Sequence, residues 1–263
     1  MLKKRIIPKL LLKFKKKNGT YVPILVNSFN YTHYKIIGDP ISQAKIYEAQ
    51  LADELILINI ESLPINENKF ILDLIKQFSF NIFMPLTVGG GVLSLNCFKQ
   101  LLSSGADKVL INSSAILNPK FITDAAKNFG SQCVVVSIDF KIDENHEAKV
   151  FYNNGKKAAN LNVLDWSKKA EDLGAGEIVL SDINKDGCNL GLNIELANLI
   201  STTIKIPVII SGGCGLAKHF IDCFKQTKVQ GIAAGNFFSN KDQNIFETRS
   251  QIMNSNVPLR KVG

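Results

Sequence analysis

The sequence is short of several things, and each shortage closes a possibility. Its five cysteines, Cys97, Cys133, Cys188, Cys214 and Cys223, form no Cys-x-x-Cys pair, and its three histidines, His33, His146 and His219, are scattered. No zinc constellation can be built from that set, so no metal is expected. An odd cysteine count without a secretory signal points to a reducing cytoplasm. A long apolar run fit for a bilayer is also missing. Near the start, Lys9 and Lys13 break the apolar residues, and no small-residue cleavage site follows. The uncharged stretch from Gln77 to Cys97 is long enough to span, but it holds Pro85, Gly89, Gly90, Gly91, Asn81 and Asn96. It reads as a buried strand with a glycine turn. No membrane association is expected.

Acidic residues are also in short supply, 23 against 31 basic ones, which leaves a net charge of +8. The lysines are spread along the chain, with a dense cluster only near the N-terminus. Nucleic acid is therefore not expected as the main partner. What is present is a core: 46% of the 263 residues are hydrophobic, ample for one large α/β domain and incompatible with disorder.

Short β-branched runs recur at about 5–12, 54–60, 84–88, 108–112, 133–140, 177–183, 207–211 and 231–235. Amphipathic stretches separate them, at 40–52, 69–79, 95–104, 120–128, 166–173, 193–201, 217–226 and 242–253. This alternation predicts a parallel sheet covered by helices. An internal repeat argues for closure. Ala52–Leu57 returns as Ala175–Leu180, and Pro85–Gly91 as Pro207–Gly213, both at an offset near 122. Two (β/α)₄ halves, about 1–122 and 123–263, make a single-domain (β/α)₈ barrel.

Both glycine turns, Gly90-Gly91 and Gly212-Gly213, end a strand at the C-terminal face, where barrel enzymes keep their sites. Backbone N–H groups there can approach an anion. Asn112-Ser113-Ser114 stands beside the first turn and Gly235-Asn236 beside the second, so the duplicated cups predict a ligand with a phosphate at each end. The plainer reading is that the glycines only turn strand into helix.

Arg5-Ile6-Ile7-Pro8, Pro85–Gly91, Gly105–Val109, Gly130–Asp139, Gly174–Ile178, Asp186-Gly187 and Ser211–Gly213 resemble the HisF family, the cyclase subunits of imidazole glycerol phosphate synthase. The match runs nearly end to end. It implies a glutaminase partner of the HisH type, ammonia passing through the barrel, no cofactor, and two aspartates performing acid–base chemistry at the mouth. Asp139 matches one of them. The other belongs in the pattern Ile-Ile-Pro-Cys-Leu-Asp-Val, which here reads Ile6-Ile7-Pro8-Lys9-Leu10-Leu11-Leu12 and puts Leu11 at the carboxylate's position. A lysine of the family's next loop is replaced by Pro23, and a second-strand aspartate by Asn59.

The opposite face keeps the family's residues. Arg5, Glu54, Lys108 and Glu177 each begin a strand and match the charged ring at the ammonia entrance. Asp107 and Gln132 match the glutaminase-facing surface, while Asp186 and Gly187 join the phosphate-binding set. Strand alternation points Leu110, Val135, Ser137, Val179 and Ser181 into the barrel. An ammonia entrance kept beside a halved acid–base pair resembles the glycosyl-amidation paralogues of the WbuZ type, which carry Leu-Leu-Leu after the first-strand proline. That resemblance implies a sugar amidotransferase as a further partner, a phosphorylated or nucleotide-sugar ligand, and acetamidino-group formation on a surface-polysaccharide sugar. The alternatives are a cyclase of histidine biosynthesis, or a non-catalytic scaffold or basic nucleic-acid binder.

Overall fold

The structure, a computed structural model, describes residues 3–17, 20–61, 69–239 and 244–260. Gly19 and the expected helix start at Asp242 lie outside them. The first half of the chain runs β1 (Arg5–Lys17), β2 (Thr20–Phe29), β3 (His33–Gly38), α1 (Pro40–Ala49), β4 (Leu55–Asn59), α2 (Lys69–Asn81), β5 (Leu86–Gly89), α3 (Leu95–Ser103), β6 (Lys108–Ile111), α4 (Ser113–Leu117) and α5 (Lys120–Phe129). The second runs β7 (Val134–Ile142), β8 (Ala148–Tyr152), β9 (Lys157–Asn162), α6 (Val163–Asp172), β10 (Glu177–Asp182), α7 (Ile194–Thr203), β11 (Val208–Ser211), α8 (Ala217–Gln226), β12 (Gly231–Ala234), α9 (Asn236–Ser239) and α10 (Ile245–Asn254).

Eight of these strands pair in parallel in the order β1-β4-β5-β6-β7-β10-β11-β12, and β12 returns to β1 through Arg5↔Gly231. The sheet closes as a (β/α)₈ barrel. The strands are apolar on both faces, as a parallel sheet covered on both sides requires. Ile6, Leu10, Leu12, Leu55, Leu57, Ile178 and Leu180 pack outward under the helices. Ile7, Ile56, Leu110, Val135, Val179, Ile209 and Ala233 fill the interior as one layer. The interior is thus packed rather than bored through.

The sequence reading missed four strands. β1 continues well past the barrel rim and pairs antiparallel with β2, from Leu11↔Val26 to Lys17↔Thr20, and β2 pairs with β3. In the other half, β7 pairs antiparallel with β8 and β8 with β9. The first barrel strand of each half therefore opens into a three-stranded meander above the mouth. The halves also share a device at the floor. Glu48 Oε1 accepts the N–H groups of Phe83 and Met84, the latter at 3.0 Å, and Glu171 Oε1 accepts those of Lys205 and Ile206 at 2.6 and 3.0 Å.

The C-terminal segment is fastened beneath the barrel. Lys4 bridges Leu259, its N–H donating to Pro258 O at 3.0 Å, while Arg260 N donates back to Lys4 O at 3.0 Å. Arg249 on α10 pairs with Asp53 at 2.6 Å and donates to Leu51 O and Arg260 O. Among the described residues no helix is long and apolar enough to cross a membrane, and no group of three or more His, Cys, Asp or Glu side chains could hold a metal ion.

Candidate functional site

At the floor, the four residues that begin strands form a closed ionic cycle. Arg5 Nη1 meets Glu54 Oε2 at 2.8 Å, and Arg5 Nη2 meets Glu177 Oε1. Lys108 Nζ lies 2.9 Å from both Glu54 Oε1 and Glu177 Oε2. Thr87 Oγ1 also donates to Glu54 at 2.8 Å. Burial alone would push the Glu54 carboxyl up, but Lys108 and Arg5 hold it below the ordinary carboxylate range. Two cations and two anions cancel, and each acid touches both bases. Asp107 and Gln132 are exposed on the same face. Asp107 also caps the barrel by accepting Leu86 N–H at 2.8 Å, and its charge helps raise the nearby Cys133 thiol, which burial raises first.

At the mouth, alternation along β7 brings Asp139 to the inner face above Val135 and Ser137, and Ser137 Oγ donates to it at 3.0 Å. Burial pushes its carboxyl up to about 6. Ser137 and Lys9 oppose that rise, while Asp186 adds to it. Tyr31, from the β2–β3 turn, lines the same cavity. Its phenol is held well above its ordinary value by burial and by Asp139 and Asp186, so it stays a proton donor. Leu11 lies in register with Ile58 and lines the mouth where the resemblance implies a carboxylate. Asn59 is buried, and its Oδ1 accepts Glu61 N–H at 3.0 Å. Pro23 departs from expectation: it faces Phe14 within the hairpin ladder, because β1 has already left the barrel at that height.

The two cups differ. Gly90, Gly91, Asn112, Ser113 and Asp139 line one cavity of about 380 Å³, within the range of small-molecule sites. Asp186, Gly187, Gly212, Gly213, Gly235 and Asn236 line a second of about 20 Å³, room for one water. The β2 hairpin narrows it: Ser28 Oγ donates to Asp186, and Asn236 Nδ2 donates to Ser28 O at 2.7 Å. A phosphate there requires the hairpin to lift. Even in the open cup some polar groups are already engaged. Asn112 Nδ2 donates to Ser137 O at 3.2 Å, and Ser113 Oγ accepts Asn153 N–H at 3.0 Å from the β8–β9 turn.

The glycines also have a packing reason. A Cβ at Gly90, whose φ is +90°, would stand 1.8 Å from Asn59 O, and one at Gly212 would stand 2.5 Å from Asp182 O. Each turn thus abuts the end of a neighbouring strand, β4 or β10. Gly90→Ala is expected to cost more than about 2 kcal/mol, since backbone strain adds to backbone overlap. A urea midpoint unchanged from the wild type would contradict that. Sequence reasoning overlooked Lys9, Ser28 and Tyr31 as mouth residues, while Ser114 lines the cavity beside Ser113 as its place after the first turn suggests. Lys9 alone carried a usable signal, a lysine at an inward position of an apolar strand.

An ionic ring at the floor and a polar, glycine-edged mouth define the class as a (β/α)₈-barrel protein with its candidate site at the C-terminal face. A family profile described as "Histidine biosynthesis protein" matches residues 5–243. The chain is 42% identical over 260 residues to the imidazole glycerol phosphate synthase subunit HisF of Hydrogenobaculum sp. (strain Y04AAS1), covering 99% of this chain and 100% of the relative. It is 41% identical over 261 residues to the HisF subunit of Lactococcus lactis subsp. cremoris (strain MG1363), covering 99% and 97%. A Prochlorococcus marinus (strain MIT 9313) protein, provisionally named imidazole glycerol phosphate synthase subunit hisF2, is 41% identical over 260 residues, covering 99% of each chain. The chain belongs to the HisF family.

Proposed function

We propose that this barrel is the synthase half of a glutamine-dependent pair in the cytoplasm, receiving ammonia at its floor from a HisH-like glutaminase and using or releasing it at its mouth. The closed cycle of Arg5, Glu54, Lys108 and Glu177 carries the reading. Mutually paired charges keep bulk water out yet can separate, and uncharged ammonia crosses an apolar layer at far lower cost than ammonium. The glutaminase docks around Asp107 and Gln132. The mouth takes an anionic ligand, a phosphorylated or nucleotide sugar, in the cavity beside Gly90, Gly91, Asn112 and Ser113. A scaffold or nucleic-acid binder has no use for such a ring.

Two products divide the reading. Leu11 and Asn59 in place of carboxylates favour glycosyl amidation with a sugar amidotransferase, because neither side chain exchanges a proton near neutrality. The family match and the relatives' names favour imidazole glycerol phosphate synthesis in histidine biosynthesis, and they support it more directly than anything supports amidation. Expression in a strain lacking its own cyclase, grown without histidine, separates the two. The mouth's residues lead us to expect no growth. Robust growth would end the amidation reading and leave the cyclase.

A further inference from the structure

On β1 the alternation that turns Ile7 into the barrel and Leu11 into the mouth also turns Lys9 inward between them. Lys9 is 6% exposed, and its amine, which enters none of the hydrogen bonds or ion pairs among the described residues, opens onto these cavities. It lines both the large cavity and the narrow cup, a property that among the described residues it shares only with Leu11 and Ser28. It is therefore the one cation common to the two.

A buried ammonium is costly unless paired and hydrogen-bonded. Asp139 is near enough for its charge to be felt, without a hydrogen bond to the amine. Two further polar atoms are buried without partners, Asn59 Nδ2 and Ser114 Oγ, and both residues line the same large cavity. An amine at the cavity, and an amide N–H₂ and a hydroxyl buried in residues of its wall, thus all have unmade hydrogen bonds. A sugar hydroxyl would serve the amide and the hydroxyl but leave the ammonium uncompensated. A phosphate group serves all three.

We propose that Lys9 is the main anion-binding residue of the mouth, holding one phosphate group of the ligand at the centre, where the two cups meet, with Asn59 and Ser114 donating beside it. This rests on the reading of an anionic ligand at the mouth and gives that ligand a fixed point. It also places the cation where ammonia would emerge, so that ammonium is repelled and neutral ammonia is not.

The test is titration of the full chain with inorganic phosphate, followed by ³¹P line width, for the wild type, Lys9→Met and Asn59→Leu. Lys9→Met is expected to weaken binding about tenfold or more, as fits the loss of a charge-assisted hydrogen bond. Its Tm is expected to stay near that of the wild type, because the Lys9 amine makes no hydrogen bond or ion pair that holds the barrel together. If the wild type binds phosphate and Lys9→Met binds it equally well, Lys9 has no such role while the anionic-mouth reading stands. If the wild type does not bind phosphate, that reading fails and this proposal with it. Should Lys9→Met not fold, Asn59→Leu decides: unchanged binding overturns the central site, and a several-fold loss supports it.

Discussion

Asp139→Asn is expected to lower the rate of the mouth's reaction by about 10²- to 10⁴-fold, the usual worth of a general acid or base. The same variant is expected to be more stable than the wild type above pH 6. Burial raises the Asp139 carboxyl to about 6, with Asp186 adding to it, so the folded state holds this proton more tightly than the unfolded chain does. Below about pH 4 both states are protonated and the residue costs nothing. As pH rises through 6 the folded state must carry a poorly solvated carboxylate, and stability falls. Asparagine escapes that cost. Thermal melts of the two proteins should coincide near pH 4 and separate by pH 8, with Asp139→Asn the higher. A lower Tm for the variant at pH 8 would mean that the carboxylate holds the fold together instead. The wild-type rate, measured with ammonium salt, should also rise with pH through about 6 if Asp139 acts as a base.

Lys108→Met should separate the two sources of nitrogen. Glu54 and Glu177 each contact both cations, so Arg5 still bridges them after the change and the barrel is expected to fold. Half of the cycle is then gone, leaving the entrance ill defined. With barrel, glutaminase and downstream enzyme reconstituted together, glutamine-driven product formation is expected to fall about tenfold or more, the size of an ordinary coupling between sites. Activity with added ammonium salt should survive, because that ammonia arrives at the mouth from solution. Glutamine hydrolysis by the partner should persist at least in part. Equal loss of both activities would make the ring a structural salt-bridge cluster and end the conduit idea.

The eight barrel strands and their covering helices were legible because β-branched runs and glycine punctuation are local signals. The ring was legible for a similar reason: Arg5, Glu54, Lys108 and Glu177 each stand at the start of a strand, and strand direction fixes which end that is. The meanders were not. β1 ends in Lys15-Lys16-Lys17 and β9 reads Lys-Ala-Ala-Asn-Leu-Asn, so neither shows the apolar alternation of a half-buried strand. Two hairpin signals were available and passed over, Asn18-Gly19 between β1 and β2 and Asn153-Asn154-Gly155, the latter with all three residues at positive φ. Missing the β2 hairpin had a direct consequence, since Ser28 and Tyr31 come from it. The two cups look alike in sequence, and only the hairpin makes them unequal.

The bridge between Lys4 and Leu259 has a practical consequence for anyone handling this protein. Both ends of the described chain reach the floor of the barrel, one residue from Arg5. An affinity tag, a fluorophore or a sensor chip attached next to Lys4 or Arg260 therefore starts from the face proposed to receive the glutaminase. A failed pull-down through such a handle would report crowding rather than indifference. Attachment through the rim, at the Asn153–Gly155 turn, leaves the floor clear. The same proximity would let a short linker join the chain beside Lys4 to the chain beside Arg260, with a new opening at that turn, moving both handles to the opposite side of the barrel.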